Sequence, residues 1–391
     1  IIAAGILISL IIEMFSSKSE KILPWFSIAL FVSTAYYSLL TVGHERIIFN
    51  SMLAAGGTAN IFFFVFTFGA AIVTLISIDY IKKIGMYYGE YYILLQSAVL
   101  GMMLMANAQD LVMIFMGLEQ MSVCFYILAG FNRKKIKSNE AAMKYFLLGA
   151  FATGFIVYGI ALMYGVAQTM SIPAIANGLL IYSDNIIFVA GLLLFIIGFS
   201  FKIAAVPFHM WVPDVYQGSP TTITALMSTG EKAAAFSSLL IIFTPLFATT
   251  QSTLFQPYLV VIATLSMLLG SIVAIAQTDL KRMLAYSSIS HAGYILIGVA
   301  AGSELGIASV IFYLSAYTFM NLGAFGIISM IENKDEGNLS LNDYSGLGNK
   351  KPMLAALLAI FMFALAGIPP FAGFFGKYYV FIAAIESNLT W

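Results

Sequence analysis

The sequence predicts an all-α, polytopic membrane helix bundle of roughly twelve spanning helices. Two inverted five-helix repeats, each holding one discontinuous helix, are expected within it. Three observations predict this. The 391 residues are 61% hydrophobic and 9% charged, with a mean hydropathy of +0.95. A soluble domain carries about 25% charged residues, so this chain cannot clothe itself in a polar surface and belongs in a bilayer. Apolar runs of spanning length recur from end to end, and two of them are interrupted by prolines at related positions.

The composition also excludes functions. The net charge of zero speaks against nucleic acid as a partner. The single cysteine, Cys124, excludes a disulfide framework, and the three histidines show no metal-ligand spacing. There is no glycine-rich phosphate loop and no nucleophile elbow, and the apolar runs leave no room for a soluble catalytic domain. No cleavable signal peptide is evident. The chain starts at Ile1 and stops at Trp391 inside an apolar stretch, which reads as a segment of a longer polypeptide.

Taken in order, the candidate spans lie near 1–15, 25–42, 59–80, 92–107, 110–131, 140–167, 186–206, 221–247, 256–276, 284–301, 305–331 and 352–391. Alternate loops carry Lys18 and Lys21, then Lys82 and Lys83, then Arg133, Lys134, Lys135 and Lys137, then Lys281 and Arg282, then Lys334, Lys350 and Lys351. The opposite loops carry only Arg46. The positive-inside rule places the basic set on the cytoplasmic side or its organellar equivalent. The alternation requires 186–220 to count as one span.

Two runs are too long to be straight. From Asn185 to Gln217 a continuous helix would measure about 50 Å, and from Pro352 to Trp391 about 60 Å, against a hydrocarbon core of about 30 Å. Pro207 and Pro213 interrupt the first, in "AAVPFHMWVP"; Pro369 and Pro370 interrupt the second, in "LAGIPPFAGFFGK". Proline removes a backbone donor and clashes with the preceding turn. Non-helical backbone survives at membrane depth only when it is buried in protein or lines a wet cavity. Pro207 and Pro369 lie 162 residues apart, close to the offset between the spans starting near 92 and 256. Five spans separate each pair, and an odd number inverts the topology. Paired interruptions in inverted halves mark an ion or substrate path.

Charges inside the spans locate that path. Lys202, Lys232 and Lys377 are deep, and Glu119 in "MIFMGLEQMSVCFY" is central in its span. A charge at the bilayer centre costs about 2.5–3.5 kcal/mol, so such residues face the bundle interior and are usually paired. Glu119 is expected to pair with Lys202. Lysine changes protonation readily when desolvated, so Lys232 could receive a proton from Lys202 and Lys377 could pass it outward. His291, among serines and tyrosines in "AYSSISHAGY", suits a relay. Plainer readings stand beside these. The Glu119–Lys202 pair could only fix helix register, Lys232 and Lys377 could snorkel to an interface, and His291 could be a packing histidine. Glu231 adjoins Lys232 but points about 100° away on a helix, toward a neighbouring helix or lipid headgroups. His209 and Asp214 are read as shaping the loop after the first break, and Asp79 and Asp110 as interfacial.

"GFSFKIAAVPFHMWVPDVYQGSPTTITALMSTGEKAA", with "LVMIFMGLEQMSV", "QTDLKRMLAYSSISHAGY" and "LAGIPPFAGFFGKYYVF", resembles the proton-translocating, antiporter-like subunits of respiratory complex I over nearly the whole chain. The lysine at Lys377 and "VPDVYQG" make it similar to the subunit N, or subunit 2, branch; subunits L and M and Mrp-type cation/proton antiporter subunits share much of the pattern. The resemblance implies fourteen helices in a full subunit, of which helices 1–3 would occupy 1–91. Helices 4–8 would form a first repeat at 92–250, and helices 9–13 a truncated second repeat at 251–391. It implies a Glu119–Lys202 pair, a central Lys232 and a terminal Lys377. It departs from the pattern at Glu231, an added carboxylate. It implies proton translocation driven by quinone reduction in partner subunits, with FMN, iron–sulfur clusters and quinone there and no cofactor in this chain. The implied partners are other antiporter-like and small membrane subunits and, through them, the peripheral redox arm. The expected location is the bacterial inner membrane, or an organellar one. A cation/proton antiporter subunit and a purely structural membrane subunit are the competing classes.

Overall fold

The computed structural model describes residues 1–247, 255–333, 337 and 339–389. Helix dominates because lipid offers the backbone no hydrogen-bond partner, so each span must satisfy its own amides. In chain order the helices are α1 (Ile2–Phe15), α2 (Ser19–Leu40), α3 (Gly57–Lys83), α4 (Glu90–Ala106), α5 (Leu111–Ala129), α6 (Ile136–Ala167), α7 (Ile172–Asn177), α8 (Leu179–Tyr182) and α9 (Ile186–Lys202). They continue with α10 (Trp211–Gly218), α11 (Thr221–Leu226), α12 (Lys232–Phe247), α13 (Gln256–Ile275), α14 (Leu280–Ala301), α15 (Glu304–Ile331), α16 (Leu347–Lys350), α17 (Pro352–Ala366) and α18 (Ala372–Glu386). Among the described residues, eight runs are long and apolar enough to cross a membrane, with Thr221–Phe247 taken as one; α1, α4, α9 and α17 are shorter apolar helices. The expected spans are all accounted for. A small antiparallel hairpin, β1 (Arg46–Ile48) and β2 (Leu53–Ala55), joins α2 to α3 with Arg46 opposite Ala55. Lys334, counted above with the basic loops, and the 250/251 repeat boundary lie outside the described residues.

The inversion is visible in two matching staples. Asp110 caps α5 by accepting from the Val112 amide, and Asp279 caps α14 by accepting from the Arg282 amide. Asp110 bridges Ser171, and Asp279 bridges Ser340. The Leu111 amide donates to the Met170 carbonyl at 3.0 Å, and the Leu280 amide to the Leu339 carbonyl at 2.9 Å. Asp279, Leu280, Leu339 and Ser340 each lie 169 residues after Asp110, Leu111, Met170 and Ser171. The first staple sits with the Arg46 loops and the second with the basic loops, so one local design recurs on opposite faces.

Both long runs break where expected. α9 stops at Lys202, Ala204 adopts φ 63°, and α10 resumes at Trp211. α17 stops at Ala366, Gly367 adopts φ 87°, and α18 starts at Ala372. Pro213 does not break the chain: it sits in the first turn of α10, where a helix needs no backbone donor. A third irregularity, a π turn over Met227–Glu231, separates α11 from α12.

Small residues let the helices meet. A Cβ on Gly159 of α6 would lie 2.6 Å from the Gly191 carbonyl oxygen of α9, and one on Gly191 would lie 2.8 Å from that of Gly159. Gly101 of α4 and Gly117 of α5 make the same reciprocal approach. Lipid is as apolar as leucine, so close backbone packing replaces the hydrophobic effect in holding such helices together.

Candidate functional site

The two breaks bring polar side chains to one level inside the bundle. In the first repeat, Lys202 is 2% exposed and donates to the Ser122 hydroxyl at 2.7 Å and the Tyr126 hydroxyl at 3.2 Å, both on α5. Its ammonium also lies 5.3 Å from the Tyr126 ring centroid and 5.7 Å from that of Tyr145. These contacts replace bulk water with lone pairs and ring faces, which a buried cation requires. The Phe201 carbonyl at the end of α9 accepts from the Trp211 indole at 3.0 Å as well as from the Ala204 amide. The Val206 amide donates to the Ser266 hydroxyl of α13 at 2.9 Å.

Glu119 and Lys202 make no ion pair, contrary to expectation. The Glu119 carboxylate is half-buried and accepts from the Thr153 hydroxyl of α6 at 2.7 Å, while Ser122, one turn further along α5, takes the lysine. A serine oxygen facing the α9 terminus intercepts the ammonium before it reaches the acid.

The carboxylate buried beside the lysines is Glu231. It is 1% exposed and accepts a hydrogen bond from the Tyr145 hydroxyl of α6. Of the two settings expected for it, the neighbouring helix is the observed one. It lies within electrostatic reach of both Lys202 and Lys232. The available signal was an acid amid small apolar residues in mid-span. The π turn that carries it inward leaves no mark in the residue pattern.

Lys232 is 2% exposed and donates to the Ser288 carbonyl of α14 at 2.5 Å and to the Ser288 hydroxyl. The hydroxyls of Tyr216 and Tyr317 face the same serine. Tyr317 also accepts from Asn321, which donates onward to Ser228 at 2.7 Å. Buried His291, one turn beyond Ser288, contacts the Tyr313 hydroxyl through Nδ1 at 2.7 Å. It lies within electrostatic reach of Lys232 and Lys377. Lys377 donates to the Ala366 carbonyl at 2.9 Å, and its ammonium is 4.8 Å from the Tyr294 ring centroid. A cavity of about 260 Å³, lined by Ser287, Ser290, His291, Tyr294, Ala366 and Lys377, opens beside the second break. It has room for several waters, each occupying about 30 Å³ in the liquid.

Lys281 departs from expectation. It is fully buried rather than loop-borne, and donates to the Ser219 carbonyl at 2.6 Å because α14 begins beneath the α10–α11 turn. Asp214 binds Lys144 at 2.6 Å and Arg282 at 2.7 Å, tying α10 to α6 and α14 at the basic face. Among the described residues, no group of three or more His, Cys, Asp or Glu side chains is placed to hold a metal ion.

Comparison with known proteins agrees with this geometry. The family described as NADH:quinone oxidoreductase/Mrp antiporter, transmembrane, matches residues 108–391. The NADH-quinone oxidoreductase subunit N 1 of Chloroherpeton thalassium is 47% identical over 392 residues, 100% of this chain and 82% of the relative. The subunit N of Trichlorobacter lovleyi is 44% identical over 99% of this chain and 80% of its own length. A chain of respiratory complex I from Thermus thermophilus superposes with TM-score 0.84 at 31% identity, covering 99% of this chain and 82% of that one. A chain of the Mrp complex from Dietzia sp. superposes with TM-score 0.87 at 21% identity, covering 100% and 74%, a likeness of fold alone.

Broken helices in inverted halves and a buried row of lysines define an antiporter-like membrane protein, and the chain belongs to the NADH:quinone oxidoreductase/Mrp antiporter transmembrane family. Within that family it belongs with the NADH-quinone oxidoreductase subunits N.

Proposed function

We infer that this chain is the subunit N of a complex I-type NADH:quinone oxidoreductase and carries protons across the bilayer. The supporting observation is the buried row that crosses both repeats at the level of the breaks: Lys202, Lys232, His291 and Lys377, with Ser122, Ser288 and the tyrosines between them. Each ammonium is held by hydroxyls, carbonyls and ring faces, so each lysine can carry its proton inside the bundle without being a bare buried charge. Half-buried Glu119 is the acid of α5 nearest in sequence to this row, one turn from the serine that takes Lys202, and it is held by Thr153.

In this reading, charge rearrangement driven by quinone reduction in partner subunits moves protons between neighbouring sites. The cavity beside His291 and Lys377 supplies the water link at the outer end. FMN, the iron–sulfur clusters and quinone belong to those partner subunits. The other membrane-arm subunits are the direct neighbours, and the bacterial plasma membrane is the location. Residues 1–91 form an N-terminal helix group, 92–250 the first repeat and 251–391 the second.

The test is proton translocation per electron in sealed vesicles containing the assembled complex. Lys202→Met and Lys232→Met are each expected to lower the ratio without lowering assembly. An unchanged ratio in both would remove the row from the proton path.

A further inference from the structure

Glu231 is a buried carboxylate to which the row of lysines described above assigns no role. One oxygen accepts from Tyr145; the other, Oε2, is buried with no hydrogen-bond partner. An unsatisfied buried carboxylate oxygen is costly, by about 1–3 kcal/mol or more for a charged group. It persists where something besides packing holds the group in place. The π turn over Met227–Glu231 aims this side chain toward α6 while Lys232, the next residue, reaches α14. Tyr145, its donor, is stacked on Trp211 with centroids 4.5 Å apart and planes 6° from parallel, so the hydroxyl is fixed. The Lys202 ammonium lies against the ring of that same tyrosine.

We propose that Glu231 is the single counter-charge shared by Lys202 and Lys232, and that sharing it makes the two lysines hold ammonium charge alternately. The inference rests on the proton-path reading above. With one ammonium, the Lys202–Glu231–Lys232 group is neutral. With two, it carries a net positive charge in a buried site, where like charges repel strongly. Arrival of a proton at Lys232 therefore favours its departure from Lys202, and the two sites titrate as a unit. The groups facing Glu231 are Lys202 from α9, Tyr145 from α6, Tyr216 from α10 and Lys232 on its own helix. Among the described residues no other carboxylate faces Lys232, and Glu119 is bound by Thr153 rather than by Lys202.

The test compares Glu231→Gln, Glu231→Asp and Lys202→Met in the assembled complex in sealed vesicles. Protons per electron are followed across pH, with NADH:ferricyanide activity of the intact complex as the measure of assembly. Glu231→Gln is expected to reduce pumping roughly tenfold, equivalent to about 1.4 kcal/mol, and to move the alkaline limb of the profile to lower pH. Glu231→Asp is expected to restore both. A glutamine variant with wild-type pumping and pH profile, while Lys202→Met fails to pump, would overturn the shared counter-charge and leave the proton path standing. Wild-type pumping in Lys202→Met would overturn the path itself. If Glu231→Gln does not assemble, the aspartate variant decides. A wild-type profile supports the proposal, and lost pumping at full assembly overturns it.

Discussion

The Lys377 ammonium on α18 lies 2.9 Å from the Ala366 carbonyl at the end of α17. The lysine thus caps the carbonyl that the second proline break leaves open, and it borders the cavity shared with His291. Its charge is stabilised by the helix end that the break creates. Lys377→Met is expected to lower protons per electron while the complex still assembles. Lys377→Arg, which keeps the charge and the carbonyl contact, is expected to retain part of the pumping. A pH-sensitive dye in sealed vesicles, normalised to NADH oxidation, measures both.

Ser288 serves two masters, Lys232 and the tyrosines facing it. Ser288→Ala keeps the carbonyl that Lys232 also uses but removes the hydroxyl, a loss of about 1 kcal/mol. Slower proton transfer at unchanged assembly is the expected result, read as a several-fold drop in pumping rate.

The glycine contacts bear on assembly rather than transport. Gly191→Leu would drive a side chain into the Gly159 backbone, at a cost of about 1–3 kcal/mol or more. Membranes from this variant are expected to contain little assembled complex on a native gel, whereas a variant at open Gly154 is expected to contain normal amounts.

The Asp214–Arg282 contact is part-exposed, with side chains 35% and 28% accessible. Exposed pairs contribute about 0.2–1 kcal/mol. A double-mutant cycle with Asp214→Asn and Arg282→Gln in detergent is expected to give a coupling within that range, shrinking as salt is raised.

The spans and both breaks were legible in the sequence because each has a local cause. Apolar length sets the spans, and Pro207, Pro369 and Pro370 mark the interruptions. The deep positions of Lys202, Lys232 and His291 were legible for the same reason: a charged or polar residue amid an apolar span has few places to go. Partner choice was not. Ser122 takes Lys202 in place of Glu119 because of where α5 faces the end of α9, a tertiary matter that no spacing within one helix encodes. The sequence left two settings open for Glu231, and the choice of the neighbouring helix rests on tertiary packing and on a π turn that the residue pattern does not mark. Lys281 was counted with the basic loops, yet it is buried in α14 and donates to the Ser219 carbonyl of the α10–α11 turn.

Ser266 of α13 accepts from the Val206 amide, which lies in the non-helical stretch between α9 and α10. Removing this contact with Ser266→Ala is expected to cost about 1 kcal/mol, seen as a lower thermal midpoint of the purified complex. The bend in one half is therefore latched by a helix of the other. The contact runs from a backbone amide to a serine hydroxyl and involves no titrating side chain. The two halves are thereby tied together at the bend itself, as a hinge pin ties two leaves.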